Sequence, residues 1–218
     1  MKTAERSFQF VTASYLVLIG NQKATNLAEL HQGLEKSTDA SIFYHTFQSL
    51  TRHHFLTEGF SNDFAQWVLA SCNRAELAEQ LASLDIRDYL TLADLRNDLC
   101  GAVSEYLEAY PEHAQQKGFE PFFFCEAVEV AVPLGLEVWS LEDFSKGLDS
   151  LSHASFHYHF IASRLRLHLS TNDFSHWLDT SLGLPDLAQK VNRVDIYTNT
   201  IEGAREKIIS LVDQELAR

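Results

Sequence analysis

Two stretches of this 218-residue chain carry nearly the same polar string. Ser41-Ile-Phe-Tyr44-His45, then Arg52 and His54, then Asn62-Asp63-Phe64-x-x-Trp67 return as Ser155-Phe-His-Tyr158-His159, Arg166, His168 and Asn172-Asp173-Phe174-x-x-Trp177. The offset is 114 residues as far as His168 and 110 from Asn172, because the first copy has four more residues in the connection between Leu56 and Ser61. Most intervening positions differ, so the shared polar positions mark what both copies require. A repeat of roughly 105 residues is long enough to bury a core of its own. The string therefore predicts a tandem duplication: a helical repeat over 1–110, a linker over 111–121 and a second repeat over 122–218, related by a pseudo-two-fold.

Local patterning favours an all-α fold. Leu27-x-x-Leu30-x-x-Gly33-Leu34 and Leu141-x-x-Phe144-x-x-Gly147-Leu148 have the three- and four-residue spacing of one apolar helical face. Ser140 with Asp143 resembles a capping box, and Asn62 and Asn172 sit where N-caps are expected. Long helices are expected from Leu92 to about Tyr110 and from Ile201 to Ala217. Phe8-Gln-Phe10 and its counterpart Phe122-Phe-Phe124 are ambiguous. Leu16 to Ile19 continue the first as a buried helix, although the Phe-x-Phe alternation equally suits the start of a strand.

Composition narrows the function classes. The formal net charge is −13, with 45% hydrophobic and 22% charged residues. Acidic residues outnumber basic ones in both halves, so a general surface for nucleic acid or anionic membrane is disfavoured. Cys72, Cys100 and Cys125 form neither a CxxC pair nor an even framework, as expected of thiols in a reducing cytoplasm. The longest apolar run, near Phe10 to Gly20, is too short and polar to span a bilayer, and no secretory leader is expected. None of the common phosphate-binding, zinc-protease, serine-hydrolase or calcium-loop motifs occurs.

The repeated string is the candidate site. On a helical wheel advancing about 100° per residue, Ser41, His45 and Arg52 share one edge, while Ile42, Phe43 and Phe47 lie opposite. Ser155, His159 and Arg166 repeat that edge, with Tyr44 and Tyr158 at its border. A hydroxyl, an imidazole and a guanidinium in line suit a small anionic ligand or a docking surface, between the copies or toward a partner protein. His54 and His168 fall on the apolar side and read as core histidines bonded to backbone. Asn62, Asp63, Asn172 and Asp173 read as capping residues, and Trp67 and Trp177 as core anchors whose indole N–H seeks an acceptor. A metal held by His45, His54 and Asp63 would require the helix to end between the histidines. Ser41 and His45 lack an evident oxyanion hole and a third group; Asp85 and Asp195 are the distant candidates to orient a histidine, or else loop caps.

The string S-[IF]-x-Y-H, a further Arg and His, then N-D-F-x-x-W, resembles an uncharacterised prokaryotic family known as a domain of unknown function. The first copy, with Thr46 and Ala65, is the closer match. That resemblance implies no reaction, cofactor or catalytic residue. The leading expectation is a cytosolic ligand- or protein-binding accessory module, with Ser41, Tyr44, His45, Arg52, Ser155, Tyr158, His159 and Arg166 at its site. A metal-assisted or acid/base hydrolase and a structural, homo-oligomeric assembly protein are the alternatives.

Overall fold

The computed structural model describes residues 3–49, 60, 62–168 and 170–218. It corrects the all-α expectation. Two long strands, β1 (Thr3–Ala24, 22 residues) and β2 (Phe122–Ser140, 19 residues), pair antiparallel as one two-stranded sheet. The fold is mixed, with helices filling the remainder of each half. After β1 come α1 (Leu27–Lys36), α2 (Asp39–Phe43), a π-helical turn (Tyr44–Gln48), α3 (Asp63–Ala70), α4 (Ala75–Ala82) and α5 (Leu92–Ala109). After β2 come α6 (Leu141–Asp149), α7 (His153–Phe156), a second π-helical turn (His157–Ala162), α8 (Ser163–Leu167), α9 (Asp173–Thr180), α10 (Pro185–Asn192) and α11 (Ile201–Leu216).

The chain forms two compact units. One is continuous, Tyr15–Val128; the other is discontinuous, Met1–Ser14 with Glu129–Arg218. Both breaks fall inside β1 and β2, not in the 111–121 stretch. In the discontinuous unit, Phe8 lies against Phe144, Phe174 and Trp177 at ring-centroid distances of 5.5, 5.6 and 5.7 Å. In the continuous unit, Phe122 packs on Phe64 at 5.2 Å and on Trp67 at 5.8 Å. Each unit thus takes its aromatic strand from the far half of the sequence. Alternation explains the strand: Phe8 and Phe10 are 6% and 1% exposed and point to one face, where the helices supply a core.

The reading of Leu16 to Ile19 as buried helix is also corrected. These residues are strand, and Leu16 and Ile19 are 61% and 76% exposed. A continuous apolar run has no period by which helix and strand can be separated, and its neighbours here are distant in sequence.

Helix ends follow their local chemistry. Asn62 Oδ1 accepts from the Ala65 N–H at 2.9 Å, and Asn172 Oδ1 from the Ser175 N–H at 2.9 Å. Ser140 Oγ accepts from the Asp143 N–H at 3.1 Å and donates to that carboxylate at 2.8 Å, so Ser140 caps the helix and Asp143 meets its hydroxyl and not its backbone N–H. Asp85 and Asp195 are loop caps, accepting from the Arg87 and Tyr197 N–H groups at 2.8 and 2.7 Å.

Two glycines let strand aromatics approach helix backbone. A Cβ on Gly33 would lie 2.2 Å from Phe124 Cζ, and one on Gly147 would lie 2.5 Å from Phe10 Cε2. Overpacking of a fully buried contact costs about 1–3 kcal/mol. Gly33→Ala and Gly147→Ala are each expected to lose stability in that range in urea titrations, whereas Gly101→Ala, with open space at its Cβ position, gains or is neutral. Burial pushes the Cys72 thiol up to about 11. Its alkylation at pH 8 is expected to be much slower than that of a free cysteine, measured by mass spectrometry of iodoacetamide adducts.

Candidate functional site

The shared polar string lies inside each unit. Ser41 and His45 are 2% and 3% exposed, and Ser155 and His159 are 0% and 3%. That placement departs from an edge open to solvent. The wheel assumed uniform α geometry, but both strings pass through a π-helical turn, which shifts the register of the residues beyond it. It also carried no information about the strands that cover the polar side.

Each buried histidine is a bridge. His159 Nδ1 is 2.8 Å from Asp173 Oδ2, and its Nε2 lies 2.8 Å from the Val11 backbone nitrogen. His45 Nδ1 is 2.8 Å from Asp63 Oδ2, and its Nε2 lies 2.9 Å from the Cys125 nitrogen. A backbone N–H can only donate, so Nε2 is the acceptor and the proton of the neutral ring sits on Nδ1, facing the carboxylate. Asp63 and Asp173 therefore open a helix and fix a histidine at once. Phenylalanine rings close the surroundings: His45 is 4.7 Å from Phe122 and 5.2 Å from Phe64, and His159 is 5.0 Å from Phe8 and 5.6 Å from Phe174, ring centre to ring centre. With both nitrogens engaged, neither ring presents an atom to a substrate.

The other predicted residues divide between scaffold and surface. Trp67 Nε1 donates to the Glu120 carbonyl at 2.8 Å and Trp177 Nε1 to the Arg6 carbonyl at 2.7 Å, so each indole ties a helix to the segment that enters or forms a strand. Asn62 Nδ2 donates to the Leu81 carbonyl and Asn172 Nδ2 to Asn192 Oδ1, both at 3.0 Å. Tyr44 stands edge-on to His45 at 4.8 Å, as Tyr158 does to His159 at 5.0 Å. Arg52 and His54 lie outside the described residues. His168 is exposed and not a core histidine; it ends α8 in the left-handed region, at φ 49°, where its backbone N–H donates to the Arg164 carbonyl.

Arg166 does sit at the rim of its unit. Its guanidinium carbon lies 3.6 Å from the Tyr158 ring centre, and Nη2 donates to Asp173 Oδ2 at 2.7 Å and to the Tyr158 carbonyl at 2.9 Å. Burial holds the Tyr158 hydroxyl above the usual phenol range, with Arg166 opposing. The Arg166 charge is thus met by Asp173 and spread over an aromatic face, which leaves it a poor receptor for an outside anion.

Ser41 and Ser155 differ in one respect. Ser152 Oγ donates to Ser155 Oγ at 3.1 Å, whereas Thr38 Oγ1 donates to Glu126 Oε1 at 2.7 Å and leaves the Ser41 hydroxyl without a partner. Ser41 lines a cleft of about 230 Å³ with Gln22, Thr38 and Glu126. Sequence reading missed the strand amides of Val11 and Cys125 as partners. The Phe-x-Phe strings beside them were the available signal. Among the described residues, no three or more His, Cys, Asp or Glu side chains converge as metal ligands.

Removal of one histidine takes the imidazole acceptor from a strand amide and one donor from a helix carboxylate, a loss of about 1–3 kcal/mol per site. His159→Ala is expected to lower the urea midpoint accordingly and to speed hydrogen exchange at the Val11 amide, with no such change at Cys125. His45→Ala should produce the converse pattern.

No curated protein matches the chain. Among solved structures, OrfY from Thermoproteus tenax superposes with a TM-score of 0.85 at 27% sequence identity, covering 99% of this chain and 98% of that one. The family model described as a family of unknown function (DUF5752) matches residues 5–213. Nearly the whole chain is matched, and the protein therefore belongs to that family of unknown function, DUF5752.

Proposed function

We propose that the protein is a cytosolic accessory module, built from two duplicated halves, that works by protein docking rather than by chemistry at its histidines. The observation that carries this reading is the outer face of β2. Ten consecutive strand residues, 128–137, are exposed. Within the discontinuous unit, Val130, Val132 and Leu134 are 52%, 46% and 47% exposed and recur at every second position, so they form one apolar row, with Leu136, 38% exposed, beyond the positive-φ Gly135. Soluble domains seldom leave such a row in water.

The partner that suits this row best is a second copy of the chain. Two chains of charge −13 repel each other, so a contact between them must avoid charge. Residues 130–136 contain none; Glu129 and Glu137 flank them. A two-fold arrangement would set each row on its counterpart, an isologous contact that closes at two copies. Pro133 has no N–H to offer a neighbouring strand, which favours packing through the apolar face over edge-to-edge pairing. The continuous unit carries its own exposed apolar residues, Leu16, Val17, Leu18 and Ile19, 114 residues before Val130 to Pro133.

Sedimentation velocity across a dilution series tests the proposal. The wild type is expected to show a concentration-dependent dimer that strengthens as added salt screens the acidic surfaces. Val132→Lys with Leu134→Lys should yield a folded monomer by circular dichroism. A wild type that stays monomeric throughout, or a double variant that still dimerises as the wild type does, overturns the assignment.

A further inference from the structure

We infer that the discontinuous unit holds a binding site for a small, uncharged, hydroxyl-rich molecule in the cleft along α9 and α10. The cleft has a volume of about 470 Å³. Ser175 lines it, is 2% exposed, and has a hydroxyl with no hydrogen-bond partner. Buried hydroxyls are nearly always paired, so one left open beside a cleft points to a partner supplied from outside.

The surrounding groups are also unspent. Thr171, His176, Asp179 and Gln189 line the same cleft, and their side chains have no hydrogen-bond or ionic partner among the described residues. Asn192, by contrast, is held fast. Its Oδ1 accepts from Asn172 Nδ2 and Arg164 Nη2, both at 3.0 Å, and its Nδ2 donates to the Ser170 carbonyl at 2.9 Å. One wall is therefore ordered in advance, and the facing side chains are available.

The helix pair itself does not demand this polarity. The positions 110 residues before Ser175, His176, Asp179 and Asn192 are Ala65, Gln66, Leu69 and Ala82, in the α3 and α4 pair of the continuous unit. There Ala65, Leu69 and Ala82 are small or apolar, while Gln66, and Glu79 in the place of Gln189, remain polar. The buried Ser175 hydroxyl, the Asp179 carboxylate and the Asn192 amide belong to one unit only, which fits a ligand and not a packing requirement.

Charge selects the ligand class. No Lys or Arg lines the cleft, so a phosphate or carboxylate would find no counter-charge. Its one carboxylate, Asp179, is exposed, and an ammonium paired there would be weakly held in water. What the lining offers is hydroxyl, amide, imidazole and carboxylate groups, which together accept from and donate to several hydroxyls. Pro185 and Ala188 give an apolar wall against which the carbon face of such a molecule would lie. The volume lies within the range typical of small-molecule sites.

The test is a backbone amide NMR titration of the full chain with myo-inositol, D-glucose, D-galactose, D-mannose, sucrose and glycerol, and separately with putrescine and inorganic phosphate. At least one of the six polyols is expected to shift the Ser175 and His176 amides saturably. Asp179→Ala with Gln189→Ala, both at exposed positions, should weaken that binding by about tenfold or more. Ser41→Ala, in the other unit, should leave it unchanged. Saturable shifts with putrescine or phosphate alone, none with any polyol, or equal polyol affinity in the double variant would each overturn the assignment. None of these outcomes depends on whether the chain dimerises.

Discussion

An imidazole set between a helix carboxylate and a strand amide is the interaction on which each unit depends. In both units one ring nitrogen faces an aspartate at 2.8 Å and the other takes a backbone N–H, from Val11 in one case and Cys125 in the other. Two requirements are met together. The strand amide finds an acceptor in the imidazole, and the carboxylate at the start of α3 or α9 finds a donor. The phenylalanines that flank each ring keep water away from the pair, which strengthens both bonds.

This arrangement gives the polar string a structural reason to persist. Ser, His and Asp side chains in a core are tolerated only when their hydrogen bonds are satisfied, and satisfying them fixes neighbouring elements in one arrangement. The indoles act in the same sense, since Trp67 and Trp177 spend their N–H groups on the carbonyls of Glu120 and Arg6. The histidines therefore order strands against helices. Unpartnered polar groups lie beside the α9 and α10 cleft and, in the other unit, at Ser41, and exposed apolar residues line both strands.

Much of the helical layout was legible in the sequence. The Leu-x-x-Leu-x-x-Gly-Leu faces, the asparagine caps and the two long helices depend on neighbours within one or two turns, and α1, α3, α5, α6, α9 and α11 fall where those signals stand. The strands were not legible. Phe8 and Phe10 find their core among residues more than 130 positions away, and Leu16 to Ile19 lack any period. The polar positions of the candidate site were identified, but their orientation was not. A wheel built at α-helical pitch cannot register a π-helical turn, and it does not reveal a covering strand. Asp63 and Asp173 were read as capping residues, and their second role became visible only once the histidines faced them.

Each bridge requires a proton on Nδ1 of His45 and His159 and an Nε2 left bare to accept from the strand. Long-range proton–nitrogen correlation spectra of the imidazoles measure this directly. Both rings are expected to show a protonated Nδ1 and an Nε2 with the shift of an unprotonated, hydrogen-bonded nitrogen. A proton on Nε2 in either ring, as the other tautomer or as an imidazolium, would contradict the bridge.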